Sequence, residues 1–268
     1  MPQQHSRIIT LLTDFGVQDA YTGIMKGVIA GINPHASVID LCHAIPPQDV
    51  FRGAYLLYTS YSYFPKGTIH VAVIDPGVGS ERNVICVECN DYLFLIPDNG
   101  LLSFILQEEE AKNIIRVTNT KFFLPKQSNT FHGRDIFAPV AAHLSLGILP
   151  AQLGENINQI CKIDIPNPVF AKERRRINGT IISIDHFGNI ITNITEKHLA
   201  DLRTTAKDLI ITIGTMKIRG LNKTYAEVKA GMPLALIGSA GFLEISLNQG
   251  NAQKYFKVKQ GQKVCIDA

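Results

Sequence analysis

The sequence predicts an α/β fold in which a mainly parallel sheet is flanked by helices, followed by a smaller C-terminal all-β, barrel-like domain. Strand-like and helix-like segments alternate up to about residue 165, which is typical of a parallel sheet covered by helices. Beyond that point the chain carries short β-type runs punctuated by glycine, as in a barrel or sandwich. Pro166 and Pro168 restrict the backbone between the two regions. We therefore expect domains at 1–165 and 177–268, joined by a linker at 166–176.

The elements of the first domain follow from apolar periodicity and from the turn residues between apolar runs. Strands are predicted at 7–12, 37–41, 68–74 and 114–117, together with a hairpin formed by 84–87 and 92–96. Helices are predicted at 21–32, 50–63, 101–107 and 136–146. In the second domain the strand predictions are 179–184, 209–213, 234–237, 242–247 and 264–267.

Composition excludes several classes of protein. Lys plus Arg number 26 and Asp plus Glu 23, a net charge of +3 that favours neither a nucleic-acid partner nor a membrane surface. No apolar run reaches the length of about 18 residues that a membrane span needs. The segment 1–7 lacks the apolar region of a signal peptide, so we expect a cytoplasmic protein.

Five cysteines, an odd number at scattered positions, argue against a secreted disulfide framework. Cys86 and Cys89 form a CxxC pair, but they lie in a β-type run without a second pair, so we interpret them as core residues rather than zinc ligands. The basic run at 172–176 has no interleaved aromatic residue, and we interpret it as a solvated junction rather than a phosphate site.

Acidic and polar loops follow successive strands, where open α/β sheets bind their ligands. The loops are TDFG at 13–16, DPGVG at 75–79 and PDNG at 97–100, and a fourth cluster, FHGRD at 131–135, precedes a predicted helix. Each alone is ordinary turn chemistry, so the evidence is their convergence. The chain has no GxGxxG after the first strand, no P-loop, no HExxH and no GxSxG, so these motifs do not support a dehydrogenase, kinase or serine hydrolase.

These loops, extended to FHGRDIFAP at 131–139 and joined by DHFGNIITN at 185–193 and GSAGFLEI at 238–245, resemble the S-adenosyl-L-methionine hydroxide adenosyltransferase family. That family comprises the hydrolytic relatives of the fluorinating and chlorinating adenosyltransferases, and the resemblance covers nearly the whole chain. It implies an N-terminal α/β domain and a C-terminal barrel-like domain. It also implies a homotrimer with the substrate bound at the subunit interface, and hydrolysis of S-adenosyl-L-methionine to adenosine and L-methionine without a metal or other cofactor.

The resemblance assigns roles residue by residue. The catalytic set near the ribose C5′ corresponds to Asp75, Arg82 and His132, which would position a water and favour its hydroxide form. The substrate-binding positions comprise an acid for the ribose hydroxyls, two acids near the methionine ammonium, an amide for the adenine edge and a hydroxyl for the methionine carboxylate. In that order they are Asp14, Asp19, Asp185, Asn189 and Ser239.

The sequence departs from the halogenating relatives at the nucleophile site. Those enzymes carry tyrosine, threonine and serine where this chain has Asp75, Val78 and Gly133, so the hydroxyls that bind halide are missing and water is the expected nucleophile. Ala240 stands where they carry an arginine for the substrate carboxylate, so other groups must bind it here.

Two alternatives remain open at this point. One is a Mg²⁺-dependent phosphohydrolase built on Asp14, Asp75 and Asp98, since carboxylates with a metal are a common recipe for such chemistry. The other is a protein that binds S-adenosylmethionine or adenosine without turnover. The complete Asp75, Arg82 and His132 set argues against the latter, because binding alone needs no group that activates water.

Overall fold

The computed structural model describes residues 8–171 and 175–268. The chain divides into two compact units, residues 1–165 and 166–268. The N-terminal segment and most of the basic run, on which the signal-peptide and junction interpretations depend, lie outside the described residues.

The first unit consists of a seven-stranded sheet and three α-helices. Its strands are β1 (Ile8–Thr13), β2 (Ser37–Cys42), β3 (Ile69–Val73), β4 (Val84–Cys89), β5 (Tyr92–Pro97), β6 (Ala111–Val117) and β7 (Gly154–Asn156). Its helices are α1 (Tyr21–Ile32), α2 (Val50–Ser60) and α3 (Ala138–Ser145). The strand order is β2-β1-β3-β5-β4-β6-β7, in which the first four strands are parallel and the last three extend the sheet antiparallel. The predicted fold class and the hairpin are confirmed.

Helices cover both faces of this sheet. Ile9 and Leu11 of β1 point to one face, where they pack with Met25 and Ile29 of α1 and with α3 in one buried cluster. On the other face Gly53 of α2 lies against the sheet's buried side chains, close enough that a Cβ there would meet Ile74 Cδ1 at 2.8 Å. Alternation along each strand assigns its side chains to the two faces, as expected for a sheet buried on both sides.

One buried histidine lies on the α2 side of the sheet. Nδ1 of His70, on β3, shares a hydrogen bond with Thr10 Oγ1 at 2.8 Å. The His70 ring packs against Tyr61 and stacks on Phe94. Its side chain is fully buried, and burial lowers its pKa to about 3. His70 is therefore neutral at pH 7 and belongs to the core.

The second unit is all-antiparallel and nearly closed into a barrel. Its strands are β8 (Val169–Ala171), β9 (Arg176–Ile184), β10 (Ile190–Thr195), β11 (Ile210–Ile213), β12 (Met216–Arg219), β13 (Pro233–Ile237), β14 (Phe242–Leu247) and β15 (Lys263–Asp267). Two short helices, α4 (Glu196–Ala200) and α5 (Ala252–Phe256), lie between strands. The strand order is β12-β11-β15-β9-β10-β14-β13, and just beyond β12 the backbone N–H of Asn222 donates to Ala235 of β13 at 2.8 Å.

Three local expectations differ from the structure. The segment 166–176 is not only a linker, because residues 169–171, of which Val169 and Phe170 favour strands, form β8 and pair with β9. Residues 101–107 form turns ending in a 3₁₀ helix at Ile105–Gln107, rather than an α-helix. The helix predicted at 136–146 begins as a π-helical turn at Gly133–Phe137.

The π-helical turn has a local cause. Pro139, at the start of α3, has no N–H to donate to the carbonyl of Asp135 four residues earlier. That carbonyl instead accepts a hydrogen bond from Leu124 N at 2.9 Å. The wider turn therefore forms just before α3, directly after His132.

Candidate active site

The sheet brings three acidic loops to one edge. Thr13 ends β1 and Val73 ends β3, and the two residues are partners in the parallel register, so Asp14 and Asp75 leave neighbouring strands at the same end. Asp98 follows β5, the next parallel strand. This is the carboxyl edge of the parallel strands, where the fold class places ligand sites.

Asp75, Arg82 and His132 form one connected cluster at this edge. Arg82 donates from Nε to Asp75 Oδ1 at 2.9 Å and from Nη2 to Asp75 Oδ2, so the two side chains pair through both oxygens. Arg82 Nη2 also lies 2.9 Å from His132 Nδ1. The side chain of Asp75 is 5% exposed and that of Arg82 is 11% exposed. The structure thus joins by hydrogen bonds the three residues that the family resemblance implies as a catalytic set.

The hydrogen bonds determine the tautomer of His132. A guanidinium can only donate, so Nδ1 of His132 accepts a hydrogen bond from Arg82 and carries no proton of its own. The ring proton is therefore on Nε2. Burial lowers the pKa of His132 below its usual 6.5, and the charge of Arg82 lowers it further, against the opposing effect of Asp75. His132 is a neutral imidazole that offers one N–H.

The DPGVG loop packs tightly against the segment that leads to His132. Gly79 has a φ of +79°, and a Cβ at this position would lie 2.7 Å from the carbonyl oxygen of Asn129. Only glycine fits both the left-handed backbone and this close approach. The contact fixes the turn that carries Asp75 against the turn that precedes His132.

A second ion pair stabilises the turn after His132. Asp135 is fully buried, receives two hydrogen bonds from the Arg134 side chain at 2.6 and 3.0 Å, and accepts the backbone N–H of Ser128 at 2.6 Å. Arg134 also lies over the ring of Phe131, 5.2 Å from its centroid. These contacts tie together the two sides of the loop that holds His132.

Asp14 and Asp19 lie in the loop between β1 and α1. Asp14 is half-buried and its Oδ2 accepts the backbone N–H of Gln48 at 2.8 Å, whereas Asp19 is exposed. Tyr21 begins α1 beside them and packs edge-on against Phe131, with ring centroids 5.0 Å apart. The packed rings of Tyr21 and Phe131 therefore adjoin the loop that carries these carboxylates.

In the second unit, Asp185 and Asn189 lie on the turn between β9 and β10. Asp185 Oδ1 accepts the backbone N–H of Asn189 at 2.8 Å, and its Oδ2 accepts Asn189 Nδ2 at 2.9 Å. Asn189 is 9% exposed, and among the contacts of the described residues the second N–H and the carbonyl of its amide have no partner. Ser239 is exposed on the turn between β13 and β14.

The comparisons with known proteins match both units. A family model described as the SAM hydroxide adenosyltransferase N-terminal domain matches residues 9–154, and a model described as the C-terminal domain matches residues 179–265. The chain belongs to the SAM hydroxide adenosyltransferase family. The resemblance found in the sequence is confirmed.

Individual relatives of this SAM hydroxide adenosyltransferase family member agree with that result. A protein from Methanocaldococcus jannaschii named (R)-S-adenosyl-L-methionine hydrolase is 39% identical, over 94% of this chain and 92% of its own. A Thermus thermophilus protein of the same name is 34% identical, over 96% of this chain and 98% of its own. The crystal structure of an uncharacterized conserved protein from Thermotoga maritima superimposes with a TM-score of 0.92 at 34% identity, covering 97% of this chain and all of that one.

Each of the three acids of the phosphohydrolase alternative accepts at least one hydrogen bond from the protein. Both oxygens of Asp75 bind Arg82, Asp14 binds the Gln48 amide, and Asp98 Oδ1 accepts the backbone N–H of Cys161 at 2.7 Å. Within residues 8–171 and 175–268, no three His, Cys, Asp or Glu side chains are grouped so as to hold a metal ion.

The two cysteines of the CxxC pair are core residues of β4. Both are free and buried, and Cys86 belongs to the main cluster of the first unit. Burial raises the pKa of Cys86 to about 12 and that of Cys89 to about 11. Among the residues that the structure describes, no helix is long and apolar enough to cross a membrane.

One exposed aromatic side chain was not among the site residues predicted from the sequence. Phe187, on the turn between Asp185 and Asn189, is 73% exposed. A large aromatic ring within an otherwise polar turn is a signal the sequence contains, because ordinary turns favour small polar residues. Phe187 stands two residues before Asn189 on the same turn.

Proposed function

We propose that this protein hydrolyses S-adenosyl-L-methionine to adenosine and L-methionine by in-line attack of an activated water at the ribose C5′. The observation that carries the proposal is the Asp75–Arg82–His132 cluster at the carboxyl edge of the parallel strands. The family membership and the relatives named (R)-S-adenosyl-L-methionine hydrolase support the same substrate.

The reaction needs little help at its leaving group. The new bond joins the water oxygen to C5′, the C5′–S bond breaks, and its electron pair leaves with sulfur as a neutral thioether. Water is a weak nucleophile, so orientation and stabilisation of its oxygen limit the rate. The group beside the oxygen therefore determines catalysis.

His132 supplies an oriented donor to that oxygen. Its Nδ1 is occupied by Arg82, so Nε2–H donates to the attacking oxygen and stabilises its hydroxide-like form. Arg82 adds positive charge nearby, and Asp75 fixes the orientation of the guanidinium through both oxygens. Because neutral His132 has no free acceptor nitrogen, the water proton passes to solvent rather than to this ring.

The remaining residues bind the substrate. Asp14 receives the ribose hydroxyls at its carboxylate, and Asn189 reads the adenine edge with the amide that Asp185 holds in place. The exposed ring of Phe187 offers a stacking surface for the base. The methionine ammonium lies near Asp19 and Asp185, and the methionine carboxylate binds Ser239. This proposal needs no metal or other cofactor.

The proposal includes a homotrimer with the site at the subunit interface. Next to Asp14 and Asp19 the surface carries three apolar side chains, Val17, Tyr21 and Ile24, which are 79%, 46% and 41% exposed. An apolar patch beside charged site residues is typical of a surface that another chain covers. Light scattering on the purified protein tests the trimer.

A cytoplasmic location agrees with five cysteines that are all free thiols.

The decisive experiment is hydrolysis in ¹⁸O-labelled water after treatment with EDTA, with products identified by mass spectrometry. We expect ¹⁸O-labelled adenosine and unlabelled methionine, with activity lost in His132→Asn and retained in the control His143→Asn. His143, on α3, packs against Phe122, and it is not among the residues that the described contacts of the Arg82 guanidinium involve. Separate assays of the two sulfonium diastereomers test whether the (R) preference in the relatives' names applies here.

Two results would replace the proposal. Intact S-adenosylmethionine together with calorimetric binding would identify a binding protein without turnover. Activity that EDTA abolishes and Mg²⁺ restores would favour the metal-dependent alternative.

A further inference from the structure

Three polar side chains, Thr13, His43 and Asp40, form a connected chain beside the loop that carries Asp14, and we call this chain the relay. Thr13 Oγ1 is 2.9 Å from His43 Nδ1, and His43 Nε2 is 3.0 Å from Asp40 Oδ1. Thr13 is fully buried and His43 is 7% exposed, whereas the Asp40 side chain is 41% exposed. Neither the substrate-binding residues nor the catalytic cluster includes these three side chains.

The direction of each hydrogen bond follows from the donors available. The backbone N–H of Phe15 donates to Thr13 Oγ1 at 3.3 Å, so that oxygen is an acceptor there. A hydroxyl oxygen has two lone pairs, so this bond alone does not give the direction of the Thr13–His43 bond. Asp40 Oδ1 lies 3.0 Å from His43 Nε2, and a carboxylate only accepts, so the ring proton of neutral His43 is on Nε2. Nδ1 is then an acceptor, and the Thr13 hydroxyl donates to it. The contact between His43 and Asp40 is an attraction at ion-pair distance rather than a well-aligned hydrogen bond.

The order acid, histidine, hydroxyl is that of a hydrolase triad, but burial excludes a nucleophilic role. Thr13 has no solvent-exposed surface, and its oxygen is already engaged by Phe15 and His43. A nucleophile must reach its substrate. The relay therefore acts on its own loop rather than on a ligand.

Backbone contacts show which part of the loop the relay holds. Gly16 N donates to the carbonyl of His43 at 2.8 Å, and Gln48 N donates to Asp14 Oδ2 at 2.8 Å. Residues 13–16 and 43–48 are thus clamped together on both sides of Asp14. Among the contacts of the described residues, Asp14 Oδ1 has no protein partner and is left for a ligand.

We infer that His43 is a positioning residue, which with Thr13 and Asp40 fixes the loop so that Asp14 meets the two ribose hydroxyls. The inference rests on the proposed function, in which Asp14 binds the ribose. The charge of Asp40 favours the Nε2–H tautomer, this tautomer makes Nδ1 an acceptor, and the Thr13 hydroxyl then orients the peptide after Asp14. The relay serves ribose recognition and takes no part in the chemical step.

The test compares two nucleosides that differ only in the ribose hydroxyls, adenosine and 2′,3′-dideoxyadenosine, by calorimetry. Thr13→Val keeps the side-chain shape and removes the hydroxyl. We expect it to weaken adenosine binding about tenfold, a loss of the order of one hydrogen bond to a charged group, while dideoxyadenosine binding stays unchanged. Thr13→Ser, which restores the hydroxyl, should restore adenosine binding.

A double-mutant cycle shows whether the effect passes through Asp14. In an Asp14→Asn background, Thr13→Val should have no further effect on adenosine binding, because the group it positions is already lost. Asp40→Asn gives a second variant at a partly exposed position that preserves folding. It should weaken adenosine binding with the same dependence on the ribose hydroxyls.

The possible failures are distinguishable. Equal weakening of both nucleosides, full additivity with Asp14→Asn, or unchanged adenosine binding in Thr13→Val and Asp40→Asn would overturn the positioning role alone. A wild-type protein that binds neither nucleoside and leaves S-adenosylmethionine intact would instead overturn the proposed function. In the hydrolysis assay, the relay variants should raise KM and leave kcat nearly unchanged, since ribose contacts remote from C5′ act equally on ground and transition states.

Discussion

Removing the charge of Arg82 should destabilise the protein far more than removing a surface arginine. The Asp75 and Arg82 side chains are only 5% and 11% exposed and pair through both carboxylate oxygens. Arg82→Met therefore leaves a nearly buried carboxylate without its partner, which costs about 3–5 kcal/mol. The matched control is Arg116→Met, since Arg116 and Glu155 pair at 41% and 57% exposure and should lose no more than about 1 kcal/mol.

Urea unfolding at pH 7, followed by circular dichroism, measures both free energies of unfolding. Asp75→Asn combined with Arg82→Met removes both charges. The double variant should therefore lose less free energy of unfolding than the two single variants lose together. Equal destabilisation by Arg82→Met and Arg116→Met, or full additivity of the Asp75 and Arg82 changes, would refute the description of this pair.

The same variant has a second, independent readout at His132. Burial is the main reason for its lowered pKa, and Arg82 is the next. In Arg82→Met the second cause disappears while the carboxylate of Asp75 remains, so the pKa of His132 should rise. Nuclear magnetic resonance of labelled histidine measures it, and a lower or unchanged pKa would contradict the assigned contacts.

Three further predictions concern stability. His70 has a folded pKa of about 3 against 6.5 when unfolded, so its contribution is fully present above pH 6.5 and is lost as the pH falls, by about 2 kcal/mol between pH 7 and pH 5. In urea titrations that loss should shrink in His70→Gln and persist in the exposed-site control His35→Gln. Gly27 is exposed in the middle of α1, and the space that an alanine Cβ would take is open, so Gly27→Ala should raise the free energy of unfolding by about 0.5–1 kcal/mol. Gly154→Ala should lower the free energy of unfolding sharply, because the new Cβ would clash with the carbonyl oxygen of Arg116; a melting temperature close to the wild type would contradict that packing.

The sequence predicted the fold class and most strands because apolar alternation is a local signal. It did not identify β10 as a strand, and the structure explains why. Asn193 interrupts the apolar run, and its side chain accepts the Thr180 backbone N–H at 2.7 Å where the pairing with β9 is irregular. A bulge of this kind is defined by the partner strand, so a single-strand pattern does not reveal it.

The candidate site, like the fold, was predicted only in part from the sequence. Asp75, Arg82 and His132 were grouped by resemblance, and nothing local shows that residues 50 positions apart along the chain share a hydrogen bond. The tautomer of His132 depends on that contact, so it could not be predicted from the sequence. The Thr13–His43–Asp40 relay was missed because Thr13 ends β1 whereas Asp40 lies in β2 and His43 directly follows that strand, and each residue alone is an ordinary core or surface residue.

The position of Asp40 has a consequence for the unfolded and partly folded protein. It lies in the middle of β2, an edge strand of the first sheet whose outer backbone groups have no partner strand in that sheet. Its neighbours along the strand are Ile39, which is 40% exposed, and Leu41, so Asp40 places a charge within the mostly apolar segment 38–41 of this edge. A charge in mid-strand discourages edge-to-edge aggregation. The carboxylate that orients His43 thus also keeps β2 from pairing with strands of other molecules.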